Sequence, residues 1–560
     1  MIGALLLFVA VVVLAALAVS RRRHSYWSSL GVPTPPYLPF IGHMHKQLSM
    51  SQRRWMYFNE VYYKHGGATF CGLYELLHPV MMIGDPDLLK HVFVKDFDHF
   101  VDRRVAVSGD ETIMNEKLSN KTGDEWKSLR SLMSPIFTSG KMRSMFPLIC
   151  NKADSLVSVS LKESAQKPFI DMKHNFGCYT IDTIASCAFG IESNSLGDEE
   201  SEFAKVAESF FNFSFLTILK FTVLALLPSL YNALRLNTDT YQIKFFQSVV
   251  EKTLAARKAG PHHRRGDFLD LLLEAQADHL SATHSHSTTN KSNFSATDNH
   301  NGLTATGNHN GLTATDNHNG LTATGNHNGL TATDNQHFIT KSKQVLSDRM
   351  IVAQSVMFLI AGYDTTASTL AFSSYLLAKN PTHQQRLRQE VQDIVNEHGD
   401  ITYQGIMEAK YLDACLQETL RLYPPSTFAE RLCTKNYKIP GTELILHEGD
   451  LVIVPIWSLQ HDPRYWQQPE EFQPDRFLPE NKTHIKSFTH MPFGMGPRRC
   501  IAMRFALMEA KVALAKLVLA ADLQLSPSHK ELKISSSPFI LRPEGGVNLV
   551  LKPITEAAHS

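Results

Sequence analysis

Apolar positions are unevenly spread along the chain, and each concentration of them predicts a different element. Ile2 to Val19 (IGALLLFVAVVVLAALAV) carries no charge and is followed at once by Arg21, Arg22 and Arg23. As a helix this run is roughly 27 Å long, enough for a hydrocarbon core. A cleaved secretory signal would place its positive charge ahead of a shorter apolar run. An uncleaved anchor is therefore expected over 1–20, with the N-terminus lumenal and the remainder cytosolic by the positive-inside rule. Residues 21–45 read as a basic stop and a hinge. The segment GVPTPPYLPFIGH holds Pro33, Pro35, Pro36 and Pro39, whose rings fix φ and remove backbone donors, predicting a stiff extended spacer.

A second apolar stretch, Phe210 to Tyr231, is interrupted by Asn212, Ser214, Thr217, Lys220 and Pro228. It reads as a helix–loop–helix that lines a pocket or dips into a membrane surface, in preference to a second span. VAQSVMFLIAGYDTTASTLAFSSYLLA predicts a long apolar helix starting near Ser347, and MRFALMEAKVALAKLVLAADL an amphipathic one. ELILHEG and DLVIVPI read as strands. Between 281 and 340 the pattern disappears. A nine-residue unit (TDNHNGLTA or TGNHNGLTA) runs four times over 297–332, with one Leu per unit, too little apolar surface to offset the entropy of ordering it. Calcium-binding nonapeptide rolls need more glycine and regular aspartate than these units carry. The eight histidines from His279 to His337 lack the fixed partner geometry of a metal site.

Composition narrows the class. The chain has 560 residues, 43% hydrophobic and 19% charged, which is material for a large core and excludes wholesale disorder. Lys+Arg 55 against Asp+Glu 54 leaves no basic excess for phosphate neutralisation, so nucleic-acid binding is disfavoured. Seven scattered cysteines without a CxxC pair argue against a disulfide-stapled domain and a structural zinc site. One of them stands out. Phe493-Gly494-Met495-Gly496-Pro497-Arg498-Arg499-Cys500 turns the backbone sharply and delivers Cys500 to a helix start, where backbone N–H groups favour a thiolate.

FGMGPRRCIA resembles the haem-binding loop of the cytochrome P450 haem–thiolate monooxygenases, Phe-x-x-Gly-x-Arg-x-Cys-x-Gly, with Ala502 in place of the last glycine. The run GPRRCIAMRFALMEAK is similar to the animal microsomal type, in particular the vertebrate family 3 enzymes. Glu418-Thr419-Leu420-Arg421 and Pro474-Asp475-Arg476-Phe477 resemble the family's Glu-x-x-Arg and Pro-x-Arg-Phe segments, and His461-Asp462-Pro463 the segment ahead of the latter. Ala361-Gly362-Tyr363-Asp364-Thr365-Thr366 resembles the oxygen-binding groove of the central helix, where a local widening is expected. Trp126-Lys127-Ser128-Leu129-Arg130 resembles the family's Trp-x-x-x-Arg helix, whose two donors face one side and suit a propionate, an acceptor only.

The resemblance implies a mainly α fold with a smaller β region, the haem between the central helix and the Cys500 loop. A single haem-binding domain over 46–560 would be interrupted by the low-complexity insertion 281–340. It implies haem b with Cys500 as axial iron ligand and Phe493 tuning it. Trp126, Arg130, Arg431 and Arg498 would hold propionates. Glu418, Arg421 and Arg476 would form a structural triad, and Asp364 and Thr365 would relay protons. Phe358, Ala361, Thr427 and Phe428, next to these motifs, are candidates for the substrate wall. Because no Gly-x-Gly-x-x-Gly dinucleotide fingerprint follows a strand, electrons must come from outside. The implied donor is NADPH–cytochrome P450 reductase at the endoplasmic reticulum membrane, with cytochrome b5 as a second, docking near Lys127, Arg130 and Arg499. The implied activity is insertion of one oxygen atom from O2 into a lipophilic substrate. Two alternatives are a peroxide isomerase of the same fold, which typically lacks the acid–alcohol pair that Asp364-Thr365 supplies, and a haem sensor or carrier, which needs neither relay nor anchor.

Overall fold

The computed structural model describes residues 2–45, 53–104, 112–198, 200–210, 215–234, 240–260, 265–277, 346–527, 531–535 and 540–554. The repeats at 297–332 and the insertion 281–340 lie outside them. The chain divides into two units, Met1–Leu273 with Ser347–Ser560, and Glu274–Leu346; of the second, only 274–277 and 346 are described.

Helices dominate the first unit. Those that position the site are α1 (Ile2–His24), α2 (Gly123–Met133), α3 (Ser139–Gln166), α4 (Met172–Phe189), α5 (Asp348–Lys379), α6 (Lys410–Leu422) and α7 (Met503–Ala520). Ser347 caps α5, its hydroxyl accepting from the Met350 N–H at 3.2 Å. This helix is apolar on nearly every face because it is enclosed. It packs on α4, α6 and α7, and α4 and α7 pack in turn on α3. By length and composition α1 and α5 could each cross a membrane, but α5 is a core helix while the apolar run of α1 is exposed.

The β region is smaller and lies in two main sheets. Its strands are β1 (Phe70–Glu75), β2 (His78–Ile83), β3 (Ile170–Asp171), β4 (Ala429–Leu432), β5 (Leu451–Val454), β6 (Ala521–Leu525) and β7 (Asn548–Pro553). One sheet runs β1-β2-β5-β4, with β2 and β5 parallel and the other pairs antiparallel. The other is antiparallel, β3-β7-β6. ELILHEG and DLVIVPI contribute a short strand (Ile445–Leu446) and β5, as expected.

The hinge departs from expectation. Helix α1 continues through the three arginines to His24, and the chain after it is not a free spacer. Ser20, His24 and Trp27 are buried. His24 Nε2 bonds the Leu76 carbonyl at 2.9 Å, Ser20 Oγ accepts from the Phe40 N–H at 2.9 Å, and the Trp27 indole donates to the Leu73 carbonyl at 2.8 Å. Polar and aromatic side chains ahead of the prolines bind this segment to the β1–β2 hairpin.

The second apolar stretch forms two helices, Phe215–Leu226 and Pro228–Ala233, with Pro228 opening the second. Twelve residues rise about 18 Å, too little for a span. Leu216, Leu219, Leu227, Leu230 and Leu234 are exposed on this pair. Asn212 and Ser214 lie outside the described residues.

Candidate active site

The loop before Cys500 owes its shape to two glycines with φ of +70°. A Cβ on Gly496 would stand 1.9 Å from the Phe93 carbonyl oxygen, whereas one on Gly494 meets nothing nearer than 4.0 Å. Gly496 is thus required by close approach and Gly494 by backbone hand. The turn is closed by Gly494 N–H to Met491 O at 2.9 Å, Arg499 N–H to Gly496 O at 3.1 Å and Cys500 N–H to Phe493 O at 2.9 Å. Helix α7 starts at Met503, with Ala502 as its cap. The Cys500 side chain is solvent-accessible although densely surrounded by protein, the position of a group in a recess. Burial raises its thiol pKa, and the Ala502 N–H, Arg130 and Arg103 act in the opposite direction.

Guanidinium groups gather around that recess. Arg431, on β4, is almost wholly buried, donates to its neighbour's carbonyl at Glu430 and sits 4.7 Å from the centre of the Phe93 ring. Arg498 is also buried. It donates to the Lys121 carbonyl at 2.7 Å, pairs with Asp102 at 3.3 Å and lies 4.3 Å over the Trp126 ring. Arg103 donates to the Arg498 carbonyl at 2.9 Å. The Nε atoms of Arg103, Arg431 and Arg498 are buried without a hydrogen-bond partner. Burial and mutual repulsion lower the pKa of Arg498 to about 10, and that of Arg431 well below its ordinary value. Arg130, half-buried on α2, is lowered by burial while Cys500 acts to raise it. Buried cations with unused donors suit an anionic ligand that the described residues do not supply. A planar group bearing two carboxylates and an iron for the Cys500 sulfur fits this donor set, which is what haem b offers.

On α5 the Thr365 hydroxyl donates to the Ala361 carbonyl at 2.7 Å, one turn back. The helix is continuous from Asp348 to Lys379. Gly362 has a packing reason: a Cβ there would stand 2.5 Å from Ile184 of α4. Asp364 is buried, and its Oδ1 accepts from Lys173 Nζ at 2.6 Å while Oδ2 is without a partner. Lys173, on the first turn of α4, also lies 5.5 Å from the centre of the Tyr363 ring.

The predicted triad assembles. Arg421 holds Glu418 through two bonds of 2.8 Å, with both side chains wholly buried, and Arg476 Nε lies 3.4 Å from the same carboxylate. The Gln473 N–H, the Gln460 carbonyl and the Glu471 carbonyl satisfy the remaining valences. A buried pair this completely bonded organises the loops around it; its net contribution to stability is small, but removal of one partner is costly.

Phe358 joins an aromatic cluster with Phe137 and Phe268 at 5.4 and 4.3 Å between ring centres. Ala361 and Thr427 are half-buried. Phe428 is engaged elsewhere, edge-on to Phe58 at 5.4 Å with Arg54 4.4 Å over its ring. Lys127 and Arg499 are exposed. Sequence reasoning missed Arg103, Lys173 and Glu509. Lys173 had a signal: a lysine in the first turn of a helix opposes the macrodipole and needs a carboxylate partner.

The comparisons with known proteins agree with this geometry. The family model described as Cytochrome P450 matches residues 32–299 and 323–550. The chain is 32% identical to Cytochrome P450 9e2 of Blattella germanica over 97% of both chains. It is 34% identical to Cytochrome P450 3A41 of Mus musculus over 95% of this chain and 93% of that one. It is 33% identical to Cytochrome P450 3A2 of Rattus norvegicus over 97% and 95%. Fold and site define a haem–thiolate oxidoreductase of the monooxygenase class. The chain belongs to the cytochrome P450 family.

Proposed function

We propose that this protein inserts one atom of O2 into a lipophilic substrate, releasing the other as water, with two electrons from NADPH delivered by a membrane reductase and cytochrome b5 as a second donor. The observation that carries the reading is the recess at Cys500, ringed by Arg103, Arg130, Arg431 and Arg498, three of which keep buried nitrogens without a partner. Haem iron bound through the Cys500 thiolate would supply oxygen activation, thiolate donation favouring O–O cleavage.

The chain's own residues would do the rest. Trp126, Arg103, Arg130, Arg431 and Arg498 bind the propionates and orient the ring, while Phe493 and the loop N–H groups tune the sulfur. Thr365, hinged on the Ala361 carbonyl, holds a water or proton at the oxygen side. The Asp364–Lys173 pair brings protons to it from the α4 side. Phe358 and its aromatic neighbours, with Ala361 and Thr427, line the substrate side and exclude water. Phe428 reaches substrate only if its packing on Phe58 opens. Lys127, Arg130 and Arg499 offer a positive surface for an acidic electron donor.

The exposed apolar run of α1, ending in Arg21 to Arg23, supports a single anchor in the endoplasmic reticulum membrane with the body in the cytosol. Residues 46–560 are read as one haem-binding domain carrying the insertion 281–340. The decisive experiment is the reduced carbon monoxide spectrum of the full chain with haem. A thiolate-type red-shifted Soret band is expected, abolished by Cys500→Ser, and product formation should require reductase and NADPH. A histidine-type spectrum in the wild type refutes the assignment.

A further inference from the structure

The central helix α5 carries one accessible stripe. From Met350 to Ser374 every residue is buried except Met357, Phe358, Ala361, Gly362 and Thr365. Steps of three and four residues place Phe358, Ala361 and Thr365 on one side of the helix, with Gln354 one turn ahead on the same side. Because α4, α6 and α7 pack on this helix, the stripe borders a space inside the fold.

Gln354 is itself buried and holds a second element at the head of that stripe. Its Oε1 accepts from the Leu118 N–H at 2.8 Å, and its Nε2 donates to the Glu116 carbonyl at 2.7 Å. The two bonds straddle Lys117, which stands in extended backbone between the turns Ile113–Glu116 and Leu118–Asn120. Lys117 keeps accessible surface although protein surrounds it densely, the same kind of position as Cys500. Among the described residues no charged partner acts on its ammonium, and burial alone lowers its pKa, to about 8. The neighbouring Glu116 carboxylate is taken by Lys121 at 2.7 Å. A lysine whose head reached bulk water would keep its ordinary pKa. Packing alone would be served better by a methionine, without the desolvation cost. A buried cation lacking a counter-ion, and mostly protonated at neutral pH, suits a ligand that brings the anion.

We propose that Lys117 selects substrates with an anionic head, its ammonium binding the carboxylate of a lipophilic acid whose chain runs along the Phe358–Thr365 stripe. The proposal rests on the monooxygenase reading and names its substrate class. Along α5 about 16 Å separates Gln354 from Thr365. A head group held at Lys117 therefore leaves the far end of a long chain at Thr365, and not the carbons beside the carboxylate. Phe137 and Phe268, packed on Phe358, give that chain apolar surroundings. Lys117 is a specificity-determining residue and touches no reacting atom.

The test uses the full-length holoenzyme and reads the substrate-induced shift of the Soret band with two probes, dodecanoate and methyl dodecanoate. Wild type should bind the acid more tightly than its ester. In Lys117→Met, of similar length and without charge, that preference should fall about ten-fold, the worth of one charge-assisted bond. Lys117→Arg should keep most of it. Equal affinities in wild type, or an unchanged ratio in Lys117→Met, overturn the proposal while leaving the family chemistry intact. Loss of the thiolate-type carbon monoxide spectrum in Lys117→Met, with its retention in Lys117→Arg, overturns it too, by assigning the ammonium to a haem propionate. If Lys117→Met does not fold, Lys117→Gln carries the same comparison. A wild type that prefers the acid but oxygenates neither probe with reductase and NADPH overturns instead the function on which the proposal rests.

Discussion

Buried charge at single residues is resolved in three different ways in this protein. Glu418 and Arg421 satisfy one another, Arg431 and Arg498 keep donors unused, and burial pushes the Glu509 carboxyl toward its neutral form. The last case has a measurable linkage. A carboxyl neutral in the fold but ionised in the unfolded chain above about pH 4.3 binds more protons folded than unfolded. The stability it contributes is present below that pH and declines as pH rises toward the raised folded value. The thermal midpoint of wild type should therefore fall more steeply than that of Glu509→Gln between acid and neutral pH, the two converging at low pH; parallel profiles would contradict a neutral Glu509. At this scale the sequence showed most where neighbours in the chain are neighbours in the site. Cys500 and its glycines, and Glu418 with Arg421, are local patterns of this kind. Lys173 and Asp364 are separated by 191 positions, so no local pattern joins them.

At the scale of elements, the Cys500 loop separates two roles that glycine plays. Gly496→Ala would drive a methyl into the Phe93 carbonyl, so one segment must move and the haem-binding loop should be lost. Gly494→Ala meets open space and costs only the backbone strain of a positive φ, about 1–2 kcal/mol, with the spectrum kept. Carbon monoxide spectra of the two variants check the contrast, and equal loss in both would show that conformation alone decides. The central helix carries a second lesson. Its apolar length and composition match a membrane span, and its enclosure by α4, α6 and α7 makes it a core helix. Its Thr365 hydroxyl bonds the carbonyl one turn back within a helix that is continuous over Asp348–Lys379.

The molecule as a whole joins an exposed apolar helix to a body without a loose tether. His24 and Trp27 tie the base of α1 to the β1–β2 hairpin, and Ser20 ties it to the Phe40 main chain. Deleting residues 2–19 should therefore leave the body folded and haem-competent while shifting the protein from the membrane pellet toward the supernatant. Trp27→Ala in the full chain should cost about 3–5 kcal/mol through the lost buried indole. Deletion of 281–340 should leave the carbon monoxide spectrum unchanged, since closure cost grows slowly with loop length; loss of haem in that variant would show that the segment supports the fold. What the sequence by itself determined was the set of local devices: the apolar N-terminal helix, the Cys500 turn, the Glu418–Arg421 pair and the helical and strand periods, each encoded within a few residues. The tertiary structure alone decided which charges find partners. Desolvation and pairing depend on groups brought together from distant segments, and so Arg103 joins the recess, Lys173 pairs with Asp364, and burial raises the pKa of Glu509.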